Sequence, residues 1–153
     1  MNYDIYNSSI TYFPLLPLSK TASFERKVLD IRQMPAQVLF PHWDDEFEFI
    51  YVLSGMMEFR VRQKAFLVSS GEGFFLNTWE IHSACTYQSY DCRFVIYRIC
   101  PSVLFQTEDN PLYQKYIKPL VDHPSFGFLT FVPKVPWQKY IRSEERRVGK
   151  ECR

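Results

Sequence analysis

Between Phe24 and Cys100 the chain is a succession of short strand-like runs, each closed by turn residues, and this pattern constrains its fold more than any other feature. Phe24 to Arg32 alternates loosely and closes at Met34-Pro35, and His42 to Leu53 reads as one long strand or a pair, ended by Ser54-Gly55. Met57, Phe59 and Val61 then face one way while Glu58 and Arg60 face the other, which is the two-residue period of a half-buried strand. Arg62 to Lys64, Ser69 to Gly73 and Asn77 to Glu80 supply further turns. Between them lie the short runs Ala65 to Val68, Phe74 to Leu76, Ile81 to Ala84 and Cys92 to Cys100. Strands of this length and spacing predict an antiparallel sandwich or barrel. Aromatic residues make up 18% of the chain and only five residues are glycine, which favours pleated sheet and suits a cavity lined by rings.

The flanks read differently. Residues 1–23 mix Tyr, Ser and Thr with Pro14 and Pro17, and are expected to form an extended arm, either a lid over a pocket or disordered. After residue 100 the period becomes helical. Asn110 can cap a helix opened by Pro111, with Tyr113, Ile117, Leu120 and Val121 on one face, and Pro119 should kink or end it. Val135-Pro136-Trp137 resembles the start of a second helix, so residues 101–141 are read as a helical segment. Arg142 to Cys152 matches the in-frame translation of a sequencing-library adapter over eleven consecutive residues. Residues 142–153 are therefore expected to be a non-native tail without packed structure, with the natural chain continuing beyond Ile141.

Several function classes are excluded on composition. No apolar run is long enough to cross a membrane as a helix, and the longest, Phe47 to Leu53, is broken by Glu48. Asp4 stands where a secretion signal needs a basic flank, so a cytoplasmic location is expected. The four cysteines form no CxxC pair and show no metal-ligand spacing, which reads as free thiols. The net charge of +1 divides into +2 from residue 142 onward and −1 before it, leaving no electrostatic footprint for nucleic acid.

The chemistry concentrates in His42-Trp43-Asp44-Asp45-Glu46-Phe47-Glu48. His42, Asp44 and Glu48 share parity, so an extended backbone turns them to one face, and His82 follows two strands later. Converging inside a barrel, the four would suit a divalent metal such as Mn, Fe, Ni or Zn, or a polar effector. Asp44 offers a hard oxygen ligand, which lowers affinity for a late metal and favours the effector. No nucleophile, base and orienting group lie together, so no catalytic residue is assigned. Tyr51, Phe59, Phe75 and Trp79 are candidates to line the ligand cavity, against the alternative that such rings are core. Tyr113, Tyr116, Ile117, Leu120 and Val121 form a stripe that serves either as a dimer face or as packing onto the chain's own barrel. His123, between Asp122 and Pro124, reads as a solvated turn residue.

These residues resemble known motifs. His42-x-Asp44-x3-Glu48-x6-Gly55 is similar to the first cupin motif, G-x5-H-x-H-x3,4-E-x6-G, without its opening glycine and with Asp44 for the second histidine. Gly71 to His82 echoes the second motif, with Asn77-Thr78-Trp79-Glu80 in place of its proline and glycine. Over most of the chain, Phe40 to Gly55, Gly71 to Asn77, Ile81 to Ala84, Cys92 to Arg98 and Tyr113 to Leu120 resemble the N-terminal sensor half of AraC-family transcription regulators. The resemblance implies a mainly β, antiparallel, jelly-roll-like cupin barrel over residues 24–100, followed by one or two α-helices. It also implies a small-molecule effector, homodimerisation through the helices, and DNA binding through a C-terminal half absent here. No cofactor is expected, with a divalent metal at His42, Asp44, Glu48 and His82 as the open alternative. The alternative from another class is a metal-dependent single-domain cupin enzyme of the dioxygenase or isomerase type.

Overall fold

The computed structural model describes residues 24–104, 107, 109–123, 125–132 and 134–136. The expectations for the arm (1–23) and the tail (142–153) lie outside these. Among the described residues the strands are β1 (Phe24–Asp30), β2 (Val38–His42), β3 (Phe47–Val61), β4 (Lys64–Ser69), β5 (Gly73–Leu76), β6 (His82–Thr86), β7 (Cys92–Ile99) and β8 (Phe128–Phe131). All pairings are antiparallel. One sheet runs β1-β7-β3-β5-β8, and a second places β3 between β4 and β6, with β2 beyond β6. The fifteen residues of β3 belong to both: Phe47 to Tyr51 lie between β7 and β5, and Met57 to Val61 between β4 and β6. Two sheets sharing one bent strand enclose the interior as an antiparallel barrel followed by short helices, the fold class expected.

The bend explains the one boundary in β3 that differs from expectation. Ser54-Gly55 was expected to end a strand, but β3 continues through it on a bulge, the register against β7 slipping between Val52 and Ser54. Gly55 has φ +80, and a Cβ there would overlap the carbonyl of Asp91 on the neighbouring chain segment. Turn chemistry at this point therefore redirects a strand between sheets. Gly55→Ala is expected to cost about 2 kcal/mol or more, from left-handed strain plus the overlap. Urea denaturation checks this, and an unchanged midpoint would mean the bulge is free to relax.

Inside the barrel, Ile50, Val52, Met57, Phe59, Val61, Phe74, Leu76, Phe94 and Ile96 form the main core. A second apolar cluster lies on the outer face of the first sheet, where Phe47, Phe49, Phe75, Phe126 and Phe131 meet Tyr113, Ile117 and Val121. The helical segment thus packs onto its own barrel through three residues of the predicted stripe. After a short helix α1 (Pro101–Leu104), the chain makes a wide π turn (Tyr113–Ile117) and continues as α2 (Lys118–Val121). The helical turn continues through Pro119 to Val121. The widened turn, in which the Lys118 N–H reaches back to the Tyr113 carbonyl, takes up the ring that a regular α-turn would crowd.

The segment after residue 100, read as helical, also supplies β8, whose Phe128, Leu129, Thr130 and Phe131 pair with β5. Val135 and Pro136 lie in a turn, and the rest of the second predicted helix falls outside the described residues. Cys85, Cys92 and Cys100 are free thiols, and burial pushes that of Cys92 up to about 12.

Candidate functional site

β2 and β6 pair so that His42 stands directly opposite His82, their rings 4.2 Å apart between centroids. β3 brings Glu48 to the same interior face, and Asp44 enters from the loop between β2 and β3, held there by the Trp79 N–H donating to its carbonyl at 2.7 Å. His42 and Glu48 are each 1% exposed and His82 2%. Nδ1 of His42 lies 2.7 Å from the Phe40 carbonyl, and Nδ1 of His82 lies 2.9 Å from that of Glu80. A carbonyl can only accept, so both Nδ1 atoms carry the proton and both Nε2 atoms turn a lone pair inward in the neutral rings. His82 Nε2 is 2.9 Å from Glu48 Oε2, and His42 Nε2 is 3.7 Å from Asp44 Oδ2. Neither contact is aligned as a hydrogen bond. His42 Nε2, His82 Nε2, Asp44 Oδ2, Thr78 Oγ1 and both Glu48 oxygens are buried without one.

Sequence reasoning missed Arg98, which is 2% exposed. The register sets it opposite Glu25 on β1 and opposite Glu48 on β3. Its Nε donates to Glu25 Oε2 at 2.8 Å, Nη2 contacts the same carboxylate, and Nη1 is 3.9 Å from Asp44 Oδ1. The signal was present: Cys92, Phe94, Ile96 and Arg98 share one parity on β7, so an arginine falls on an inward position. Asn77 was also missed. Its amide donates to the carbonyls of Leu120 (2.6 Å) and Phe126 (2.8 Å), clamping the helical segment to the barrel.

The other predicted site residues divide. Phe59 joins the cluster, its ring 5.7 Å from that of His82. Phe75 lies on the outer face, against Phe126 and Ile117, because its neighbours Phe74 and Leu76 take the inward positions. Tyr51 pairs in register one step from Phe49 and shares that outer face. Trp79 is 58% exposed at φ +66 and lies against the exposed Trp43 outside the barrel, the two rings tilted by 38° with centroids 4.6 Å apart. Of the helical stripe, Tyr113, Ile117 and Val121 pack inward, Leu120 is half-buried with its carbonyl on Asn77, and Tyr116 is exposed. His123 sits in a turn, its Nδ1 accepting from the N–H groups of Ser125 and Phe126.

Burial, with His82 beside it, pulls the His42 pKa down to about 4. Burial and the Glu48 charge push Asp44 up to about 7. Burial opposes charge on His82 and Glu48 too, but their mutual attraction outweighs it, raising His82 and lowering Glu48. The linkage signs follow. His42 loses stability as pH falls from 6.5 towards 4, while Asp44 loses it as pH rises from 3.8 towards 7, so the two oppose each other over that range. The His82 contribution is complete below 6.5 and is lost as pH rises through its raised value. Stability is therefore expected to be level between pH 4 and 6.5 and to fall on the alkaline side. Asn mimics a neutral carboxyl, so Asp44→Asn should gain roughly 3 kcal/mol on wild type between pH 4 and 7. Thermal melts across that range measure the difference, and parallel curves for the two proteins would refute it.

The donor set also fits a divalent metal in its chemistry: two imidazole lone pairs and a carboxylate, whose ligand atoms on His42, Glu48 and His82 lie within 4.8 Å of one another.

The model of the AraC-like ligand-binding domain family matches residues 29–127, which includes β2 to β7 and every residue of this cluster. The chain belongs to that family. It is 25% identical over 108 residues to the uncharacterized HTH-type transcriptional regulator YdeC of Bacillus subtilis (strain 168). That match covers 71% of the chain and 36% of the relative, so the chain spans about a third of that protein's length. In fold, this AraC-like domain is similar to ToxT from Vibrio cholerae, with a TM-score of 0.54, 12% identity, and coverage of 80% of this chain and 47% of that one. A cupin-2 domain protein from Shewanella frigidimarina NCIMB 400 is also similar, with a TM-score of 0.43, 15% identity and coverage of 53% and 74%. Among the described residues of the AraC-like domain, no helix is long and apolar enough to cross a membrane.

Proposed function

We propose that this AraC-like domain is the effector-sensing and dimerisation part of a cytoplasmic transcription regulator, without catalytic activity of its own. It takes a small polar, sugar-like ligand inside the barrel, and DNA binding belongs to the rest of the full-length protein. The observation that carries this reading is the set of buried polar atoms of His42, Asp44, Glu48 and His82 that have no hydrogen bond. Leaving such atoms buried and unmatched costs about 1–3 kcal/mol each, an arrangement that persists where a ligand supplies the missing partners. The barrel of residues 24–100 carries the site. The segment 101–141 carries the dimer contact, where Tyr116 and Leu112 stand exposed one turn apart.

A second reading is favoured by the two inward Nε2 lone pairs: a divalent metal held by His42, Glu48 and His82, with Asp44 adjacent. Bound there, it would supply Lewis acidity, the requirement of a dioxygenase- or isomerase-type cupin enzyme. A melting series separates the two. In a panel of sugars and small polar metabolites, the true effector is expected to raise the melting temperature through mass action on the folded state, EDTA to leave it nearly unchanged, and His82→Ala to abolish the ligand shift in a folded barrel. A large fall in EDTA, restored by Mn, Ni or Zn, would put the metal reading first.

A further inference from the structure

The orphaned atoms of the four pocket side chains share one property. With His82 neutral and Asp44 ionised, His42 Nε2 and His82 Nε2 can only accept, because Nδ1 of each is committed to a backbone carbonyl, and Asp44 Oδ2 and the two Glu48 oxygens are carboxylate acceptors. In that state a bound cation takes over the attraction to Glu48, 2.9 Å from His82 Nε2, that an imidazolium supplies without it. A site of acceptors selects a donor. A hydroxyl offers one hydrogen and brings two lone pairs of its own, so alcohols would satisfy some of these atoms while setting new acceptors beside the others. A primary ammonium offers three hydrogens, no lone pair, and a charge that two carboxylates attract.

The spacing suits it. Ligand atoms of His42, Glu48 and His82 lie within 4.8 Å of one another. One nitrogen seated between them is therefore no more than about 2.8 Å from each (4.8 divided by the square root of three), a hydrogen-bond length. An anionic head group meets the opposite situation. Among the described residues, Arg98 is the one buried lysine or arginine; Glu25 engages its Nε and Nη2, and its Nη1 faces Asp44 Oδ1 at 3.9 Å, so an anion would have to compete with carboxylates already in place.

We propose that the buried end of the effector is a primary ammonium group, held by His42, Glu48 and His82 with Asp44 beside it. This rests on the barrel being an effector site, and it narrows the small polar, sugar-like class to members that carry an amine, over plain polyols, carboxylates and phosphates.

The test is a thermal melt of the whole chain in EDTA, at matched ionic strength, with methylammonium, tetramethylammonium, acetate or glycerol at about 100 mM. Methylammonium is expected to raise the melting temperature by about 4 °C and the others to leave it unchanged. Tetramethylammonium has the charge but no N–H to donate. The chain has three histidines, so imidazole nitrogen NMR gives a second readout on the unaltered protein. The His42 and His82 signals should move with methylammonium while His123 stays still. Stabilisation by glycerol or acetate and not by methylammonium would overturn the ammonium assignment while keeping the effector site. An equal shift with tetramethylammonium, a shift without movement of His42 and His82, or no shift with any probe would also overturn it. Stabilisation only by an added divalent metal after EDTA is removed would overturn the effector reading beneath it.

Discussion

Arg98→Ala is expected to destabilise the barrel by about 3–5 kcal/mol at neutral pH, the usual cost of removing one member of a buried charge group. The arginine is paired with Glu25, stands 3.9 Å from Asp44 and lies in register with Glu48, so its loss removes the buried cation that this group of carboxylates faces. It also empties one of the largest fully buried side-chain volumes among the described residues. Urea unfolding at pH 7 measures the effect. A loss below about 1 kcal/mol would show that water reaches these carboxylates and screens them.

Phe59→Ala is expected to cost about 3–5 kcal/mol, as for other phenylalanines removed from a packed core. The ring is fully buried, lies 4.5 Å from that of Phe74 between centroids, and backs His82. Among the aromatic residues predicted to line the ligand cavity, it is the one that the fold sets beside the polar cluster. It is also core, so truncation should lower stability even with no ligand present. Calorimetry of the variant decides this. An unchanged melting temperature would mean that the ring borders open space and that its role is confined to ligand contact.

Both expectations depend on strand register, which is where reading from sequence became hard. Parity put His42, Asp44 and Glu48 on one face of an extended run. In the structure His42 ends β2, Glu48 lies on β3 and Asp44 comes from the loop between them. The three meet inside the barrel with His82 because β2 and this part of β3 lie in facing sheets. Parity on β7 also marks Arg98 as inward, but only pairing shows that Glu25, seventy-three residues away, meets it. Phe75 and Tyr51 could not be assigned to cavity or core by composition. Both faces of β5 are buried, one by the barrel interior and the other by the helical segment, so its four residues carry no polar alternation to read. Trp79 sits in a turn whose left-handed backbone turns it outward onto Trp43. No local propensity of a bulky side chain predicts that conformation.

The sequence by itself determined the class of fold, most strand positions, and the four side chains that meet at the centre. Those follow from the two-residue period and from turn residues, both of which are local. The tertiary structure alone decided that Ser54-Gly55 bends a strand between two sheets instead of ending it. It also decided that Phe128 to Phe131 returns as an edge strand, and that the helical stripe is spent largely on its own barrel. Each of these depends on which distant segment lies alongside: Asp91 over Gly55, β5 beside β8, and Asn77 under the carbonyls of Leu120 and Phe126. Contacts between residues far apart in the chain leave no periodic trace in it, and packing fixes them only once the sheets have closed.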